Sequence, residues 1–334
     1  MRIATYNVEW FASLFDDCDQ LVMDDSWSSR RDITKAQQTQ AVAYVLREID
    51  ADAILIVEAP DQNGKRSTVA ALENFATQFG LRTRAAVVGF SNDTQQEIAL
   101  LFDPEALSAR HDPQSSADAP RFDQSLGIDL DVDERQDNVV FSKPPLELAL
   151  KTAKGTELRM IGAHLKSKAP HGARNRDEVM RISIAIRRKQ LAQAIWLRRR
   201  VVAHLTAGEP LIVLGDLNDG PGLDEYEGLF GRSSVEIILG EEGAQCLYDP
   251  HAQRGLGPKL AARPTTSRFY IHQEKRYLQA LLDYVMLSAD LRALSPSWRI
   301  WHPFDDPQCW SDAALREALL DASDHFPVSL DIDI

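Results

Sequence analysis

Residues 210–222 read PLIVLGDLNDGPG, an apolar run that stops abruptly on Asp216, with Asn218 and a glycine- and proline-rich turn beyond it. A short apolar run bounded by turn residues predicts a core strand. Three other runs stop in the same way. The opening MRIATYN ends in Asn7 with Glu9 beyond, AILIV (53–57) ends in Glu58, and LRMIGA (158–163) ends in His164. One polar residue after a strand is ordinary loop chemistry. Four oxygen or imidazole donors at four strand ends form a pattern, because open α/β sheets bind ligands outside the carboxyl ends of their strands.

Working outward, strands are expected at 1–7, 53–57, 84–89, 97–102, 145–150, 157–164, 210–215, 277–287 and 326–334, and helices near 32–49, 66–79, 174–206 and 311–321. The alternation predicts a mixed α/β fold. Residues 104–144, rich in Asp, Ser, Pro and Gln, read as a long surface excursion. No Pro- or Gly-rich hinge separates two self-sufficient sets of strands, so residues 1–334 are expected to form a single domain.

Composition narrows the function classes. The 44% hydrophobic and 26% charged fractions are those of a globular protein. No apolar run approaches the roughly 20 residues of a spanning helix, so membrane insertion is not expected. The first residues read as a strand and not as a leader, which makes a cytoplasmic location the expectation. Cys18, Cys246 and Cys309 are far apart and lack CxxC spacing, against a disulfide framework or a zinc cage. A net charge of -13 repels polyanions at long range, so a nucleic acid or phospholipid substrate would have to be won by local contacts.

Carboxylates and amide carbonyls without cysteine favour Mg2+ or Mn2+. Such an ion polarises a phosphoryl oxygen while a carboxylate or imidazole takes a proton from water, which is sufficient for phosphate ester hydrolysis.

GDLNDGPG (215–222), together with TYNVEWF (5–11), ILIVEAPD (54–61), GAHLKSK (162–168), LLDYVML (281–287) and SDHFP (323–327), resembles the endonuclease/exonuclease/phosphatase superfamily. The six motifs stand in the family's order. The resemblance implies a four-layer α/β sandwich of two mostly antiparallel sheets packed face to face with helices outside. It also implies a Mg2+- or Mn2+-dependent phosphoesterase cleaving phosphodiesters by in-line water attack, with a nuclease first and a phospholipid or inositol phosphate phosphoesterase as the alternative. A catalytically silent scaffold is the rival from another class, although every motif position is filled. Oligomeric state is not readable.

Carried over residue by residue, the resemblance makes Glu58 the principal metal ligand, with Asp324 and Glu9 as further carboxylates of the metal site. Asn7 would bind metal or position the catalytic Asp. Asp216 would orient or deprotonate the water, and Asn218 would hold phosphate or that water. His325 would contact the scissile phosphate with Asp283 fixing its tautomer, and His164 would bind phosphate from the opposite side. Lys166 and Ser167 would reach substrate. Glu97 is a candidate to orient His164, the alternative being a solvated strand end.

Other features are weaker. DLDVDERQDNVV (129–140) lacks the glycine and closing glutamate of a calcium loop. The basic stretch 171–200 reads as an amphipathic outer helix with a solvated basic face, only His171 to Arg176 being placed to meet substrate. Lys259 to Arg276 is a second basic group that would border the cleft. Trp298, Trp301 and Trp310 would either stack bases or pack in the core. Asp283 falls inside the apolar run LQALLDYVML, where a lone carboxylate is costly unless paired. Phe326, Val328, Leu330, Ile332 and Ile334 alternate with polar residues, a half-buried strand. Because Asp324 and His325 precede that strand while the other donors follow theirs, the last strand must run antiparallel to them.

Overall fold

Strand β2 (Ala53–Ala59) shows how the apolar runs are used. Leu55 and Val57 face one hydrophobic cluster while Ile54 and Ile56 face another, so both surfaces of the strand are covered and the run need not alternate with polar residues. A computed structural model describes the chain except residues 31, 129–136, 168–175, 221–230, 242, 244, 258–261 and 272–274. Its strands are β1 (Arg2–Asn7), β2, β3 (Ala85–Val88), β4 (Glu97–Phe102), β5 (Leu107–His111), β6 (Ser125–Ile128), β7 (Asp137–Val140), β8 (Leu146–Thr152), β9 (Glu157–His164), β10 (Leu211–Asp216), β11 (Ser267–Ile271), β12 (Arg276–Ala280), β13 (Asp283–Leu287), β14 (Ser297–Ile300) and β15 (Val328–Asp331). Its helices are α1 (Lys35–Ile49), α2 (Thr68–Phe79), α3 (Arg176–Thr206), α4 (Ser234–Leu239), α5 (Pro250–Leu256), α6 (Ala289–Arg292), α7 (Pro307–Ser311) and α8 (Ala313–Ala322).

Two sheets carry the architecture. One has the order β14-β15-β1-β2-β4-β3, the other β13-β10-β9-β8-β5. Each holds one parallel pair, β1 with β2 and β9 with β10, and is otherwise antiparallel. Leu55, Leu100, Leu148, Met160, Leu214 and Val328 fill the space between the sheets. Helices α1, α2 and α8 cover the outside of the first sheet, and α3, α4 and α5 that of the second. This is the four-layer sandwich that the motifs implied. Gly162 shows how closely the sheets approach, since a Cβ there would lie 2.4 Å from the Leu55 side chain. Among the described residues no helix is long and apolar enough to cross a membrane.

The last strand, β15, pairs antiparallel with β1, which is itself parallel to β2. The geometric expectation drawn from the SDH position therefore holds for the sheet that contains both. Strand β13 does the same for the other sheet, running antiparallel to β10 with Asp283 directly opposite Asp216.

Three readings are corrected. The run 277–287 is two strands, β12 in a separate ribbon with β11 and β13 in the main sheet. Leu281 and Leu282 turn the corner while buried, so no polar turn residue marks the break and Asp283 begins a strand instead of interrupting one. The span 104–144 contributes β5 to the second sheet, and Phe122, Leu126, Val139 and Phe141 to the cluster around Trp196. Its apolar residues are too sparse to make a periodic run. Helix α3 is also less solvated than its sequence suggests. Arg187 is 2% exposed and paired with Asp219 at 2.9 Å, and Arg200 is buried 3.0 Å from Glu147. The segments 129–136, 168–175 and 258–261 lie outside the described residues, and with them most of the calcium-loop lookalike, the HLKSK exit and the start of the second basic group.

Candidate active site

Asp216 ends β10 because Gly215 lets the strand turn there. Gly215 has φ 128°, and a Cβ on it would lie 2.1 Å from the Ala163 carbonyl oxygen of β9. The Asp216 carboxylate is 1% exposed and its two oxygens are used differently. Oδ1 accepts the Asn218 backbone N–H at 2.8 Å. Oδ2 accepts the side-chain amides of Asn7 at 3.0 Å and Asn218 at 3.2 Å, and lies 3.6 Å from His164 Nε2 and 3.9 Å from His325 Nε2. Four motifs remote in sequence thus converge on one carboxylate oxygen. Burial raises the Asp216 pKa and the Asp283 charge adds to this, with His325 opposing.

His325 is held from behind. Its Nδ1 lies 2.8 Å from Asp283 Oδ2, which also accepts the Thr266 hydroxyl at 2.8 Å. Burial works against a charge on His325, but Asp283, Asp216 and Asp324 outweigh it and hold the imidazole well above its usual range. His164 is the opposite case. Burial, then the nearby Lys143 ammonium 3.2 Å from Nδ1, holds it well below the usual range and so neutral. Two histidines beside one carboxylate are thereby assigned different charges by their surroundings.

Glu58 sits where β2 is interrupted. The β2–β4 register shifts between Val57 and Ala59, and Glu58 has φ 60°. This bulge re-aims one side chain. Its carboxylate accepts Gln96 Nε2 at 2.7 Å and the Trp10 N–H at 3.4 Å, and burial raises its pKa against the pull of Lys143 and His325. The Asp324 pKa is raised too, by burial and by the charges of Glu9 and Glu58, with His325 opposing. Glu9 is ion-paired with Arg30.

The donor chemistry fits a hard divalent cation. Glu58 and Asp324 place excess negative charge in one partly buried space, and Asn7 Oδ1 and Asp283 Oδ1 are buried acceptors without a hydrogen-bond partner among the described residues. One donor atom each from Asp216, Asp283 and His325 lies within 4.8 Å of the others, but a protonated His325 has no lone pair to offer, which leaves Glu58 and Asp324 as the carboxylates for an ion. Asn7 fits the positioning alternative directly through its bond to Asp216.

The helix layer fixes the loops that carry these groups. Gln190 of α3, fully buried, donates Nε2 to the carbonyls of Lys166 and Asn218, both at 2.9 Å. Gln193 accepts the Lys166 N–H at 3.1 Å. Ser323 donates to the Asn7 carbonyl at 2.7 Å and accepts the N–H groups of Glu9 and His325. Sequence reading missed Gln190, Gln193, Thr266, Ser323 and Lys143. The one available signal was two glutamines three apart among the apolar residues of α3. Lys166 and Ser167 are half-buried beside the site. Glu97 is not on His164. It is fully buried, bonded to Asn92 Nδ2 at 2.7 Å, and burial raises its pKa to about 7. Trp301 is buried and donates to Ser329, and Trp298 donates to the Val285 carbonyl, so both serve packing; Trp310 is exposed against Phe304.

Comparison with known proteins bears on the family and the fold. The profile of the Endonuclease/Exonuclease/phosphatase family matches residues 4–325. No curated protein sequence matches the chain. Among solved structures, truncated TDP2 of Caenorhabditis elegans superposes with a TM-score of 0.52 at 12% identity, covering 100% of this chain and 97% of its own. TDP2 of D. rerio, complexed with single strand DNA product, gives 0.50 at 13% identity, covering 100% and 99%. At these identities the likeness is one of fold.

Proposed function

Because the chain belongs to the endonuclease/exonuclease/phosphatase family, whose members are metal-dependent phosphoesterases, we propose that it hydrolyses phosphodiester bonds in nucleic acid by in-line attack of water, with Mg2+ or Mn2+ as cofactor. The observation that carries this reading is the convergence on Asp216 Oδ2 of Asn7, Asn218, His164 and His325. Glu58 and Asp324 would hold the cation, with Asn7 Oδ1 and Glu9 nearby. When bound, it would polarise a phosphoryl oxygen and offset the charge gathered there.

The protein's own groups divide the remaining work. Asp216, kept basic enough by burial and oriented by the two asparagines, takes the proton of the attacking water. His325, charged and locked by Asp283, donates from Nε2 to a phosphoryl oxygen as negative charge builds there. Neutral His164 and the Lys143 ammonium face the same phosphate from the β9 side, with Lys166 and Ser167 next along the chain. The P–O bond opposite the water breaks, the leaving oxygen departs in line and takes a proton from solvent water, and Asp216 releases its proton to solvent.

A panel of supercoiled plasmid, single-stranded DNA, RNA, abasic duplex, sphingomyelin and inositol phosphates, each with and without EDTA, tests the substrate class. Metal-dependent cleavage of a nucleic acid supports it. Turnover confined to lipid or inositol substrates, or release of phosphate from monoesters alone, refutes it.

A further inference from the structure

Strands β11 and β12 form a separate two-stranded ribbon whose aromatic face adjoins the site. A cleft of about 550 Å³ is lined by Glu9, Arg30 and Asp324 on one side and by Arg268, Tyr270 and Tyr277 on the other. Glu9 and Asp324 belong to the carboxylate group described above, so cleft and site are continuous. Tyr270 and Tyr277 face each other across the ribbon, with ring centroids 5.1 Å apart at 60°, and remain 39% and 50% exposed. The Arg268 guanidinium lies over Tyr277, 3.5 Å from its centroid.

Cross-strand aromatic pairs commonly stabilise such ribbons, and that alone would account for the contact between the two rings. It does not account for how tightly the ribbon is tied to the reacting groups. The Arg268 N–H donates to the Asp324 carbonyl at 2.8 Å, Ser267 forms a bridge with His325, and the Phe269 ring meets the His325 imidazole edge-on at 5.5 Å. The exposed tyrosines are therefore held at a fixed distance from the phosphate position.

We infer that this ribbon is a stacking platform for a nucleobase of single-stranded nucleic acid, flanking the phosphodiester at Asp216 and His325. The inference rests on the phosphodiesterase reading and names its substrate. A base has an aromatic face to offer tyrosine and guanidinium, whereas an inositol ring or an acyl chain has none, and pairing in a duplex hides the faces of internal bases. Stacking also supplies the local attraction that a chain of net charge -13 needs to hold a polyanion.

The test is fluorescence anisotropy of the full chain with a short fluorescein-labelled oligonucleotide, single-stranded or annealed, with Ca2+ in place of Mg2+ and strand integrity checked afterwards. The wild type should bind single strand more tightly than duplex. The Tyr270→Ala/Tyr277→Ala variant should lose about tenfold to a hundredfold in single-strand affinity, and the corresponding double Phe variant should retain it. Each single Ala variant should show a smaller loss, which keeps the test open if the double variant misfolds. Unchanged affinity in folded Ala variants, no single-strand binding by the wild type, or a preference for duplex overturns the platform. Turnover of bis(p-nitrophenyl) phosphate by the wild type, measured separately, reports on the phosphodiesterase reading whatever the platform does.

Discussion

His325 Nδ1 lies 2.8 Å from Asp283 Oδ2, joining the residue that precedes the last strand to the residue that opens β13 in the opposite sheet. The bond spans the sandwich and sets both tautomer and charge of the imidazole. Asp283→Asn keeps the shape but removes the negative charge and allows the wrong tautomer. Hydrolysis by this variant is expected to fall by about 100- to 10,000-fold, with the His325 pKa moving down. Rate measurements together with imidazole titration by NMR check both.

Thr266 supports that pair without approaching the phosphate. Its hydroxyl donates to Asp283 Oδ2 and accepts the N–H groups of Leu282 and Asp283, each at 3.0 Å. Thr266→Val should cost about 1–3 kcal/mol in urea unfolding, the penalty for stranding buried polar groups. It should also lower kcat, while Thr266→Ser restores both.

Gln190 makes a parallel prediction for the loops. Gln190→Leu removes the donor that ties Lys166 to Asn218, leaving buried carbonyls unpaired. A fall in kcat larger than the change in KM is expected, because the residue positions groups used in the transition state. Steady-state kinetics of the folded variant decide it.

A cation bound by the folded chain and not by the unfolded one should raise stability. At about 100-fold excess over Kd the gain is about 2.7 kcal/mol, a Tm rise on the order of 4 °C. Glu58→Gln should abolish most of that rise while leaving Tm in EDTA nearly unchanged or higher, since a carboxylate whose pKa burial raises is lost with it. Differential scanning fluorimetry with Mg2+, Mn2+ and EDTA reads this directly.

Acid sensitivity has a source outside the site. Burial lowers the His251 pKa from 6.5 to about 4. A depressed histidine binds fewer protons folded than unfolded, so its contribution is complete above pH 6.5 and is lost as pH falls toward 4. The full span corresponds to about 3 kcal/mol. The His251→Gln variant should lack this contribution, so that its unfolding free energy changes relative to the wild type by a comparable amount across that window. The comparison between the two proteins isolates this histidine, because burial also lowers the pKa values of His111, His164 and His302 while raising those of Asp249 and Glu97, which act with the opposite sign.

Much of the fold was legible because its strands are continuous apolar runs ending in polar donors, as in AILIVE and LIVLGD. These runs became β2 and β10 with little change. What stayed hidden lacked a periodic signature. The β12–β13 break falls between two buried leucines, β6 and β7 are short, and Arg187 and Arg200 look like any surface arginine until their carboxylates, Asp219 beyond β10 and Glu147 in β8, arrive from remote parts of the chain. The principal site residues carry motif signals because their chemistry restricts residue type. Their supports do not, since a hydroxyl such as Thr266 or an amide such as Gln190 is defined by where it sits.

The central claim is that Asp216 and His325 act together on a phosphodiester in a metal-dependent site. Hydrolysis of bis(p-nitrophenyl) phosphate by wild type, Asp216→Ala and His325→Ala, each with Mg2+, Mn2+ and EDTA, tests it most directly. Turnover by the wild type only with metal, and a loss of about 100- to 10,000-fold in either variant, are expected. Full activity in both folded variants, or wild-type turnover unaffected by EDTA, would contradict it.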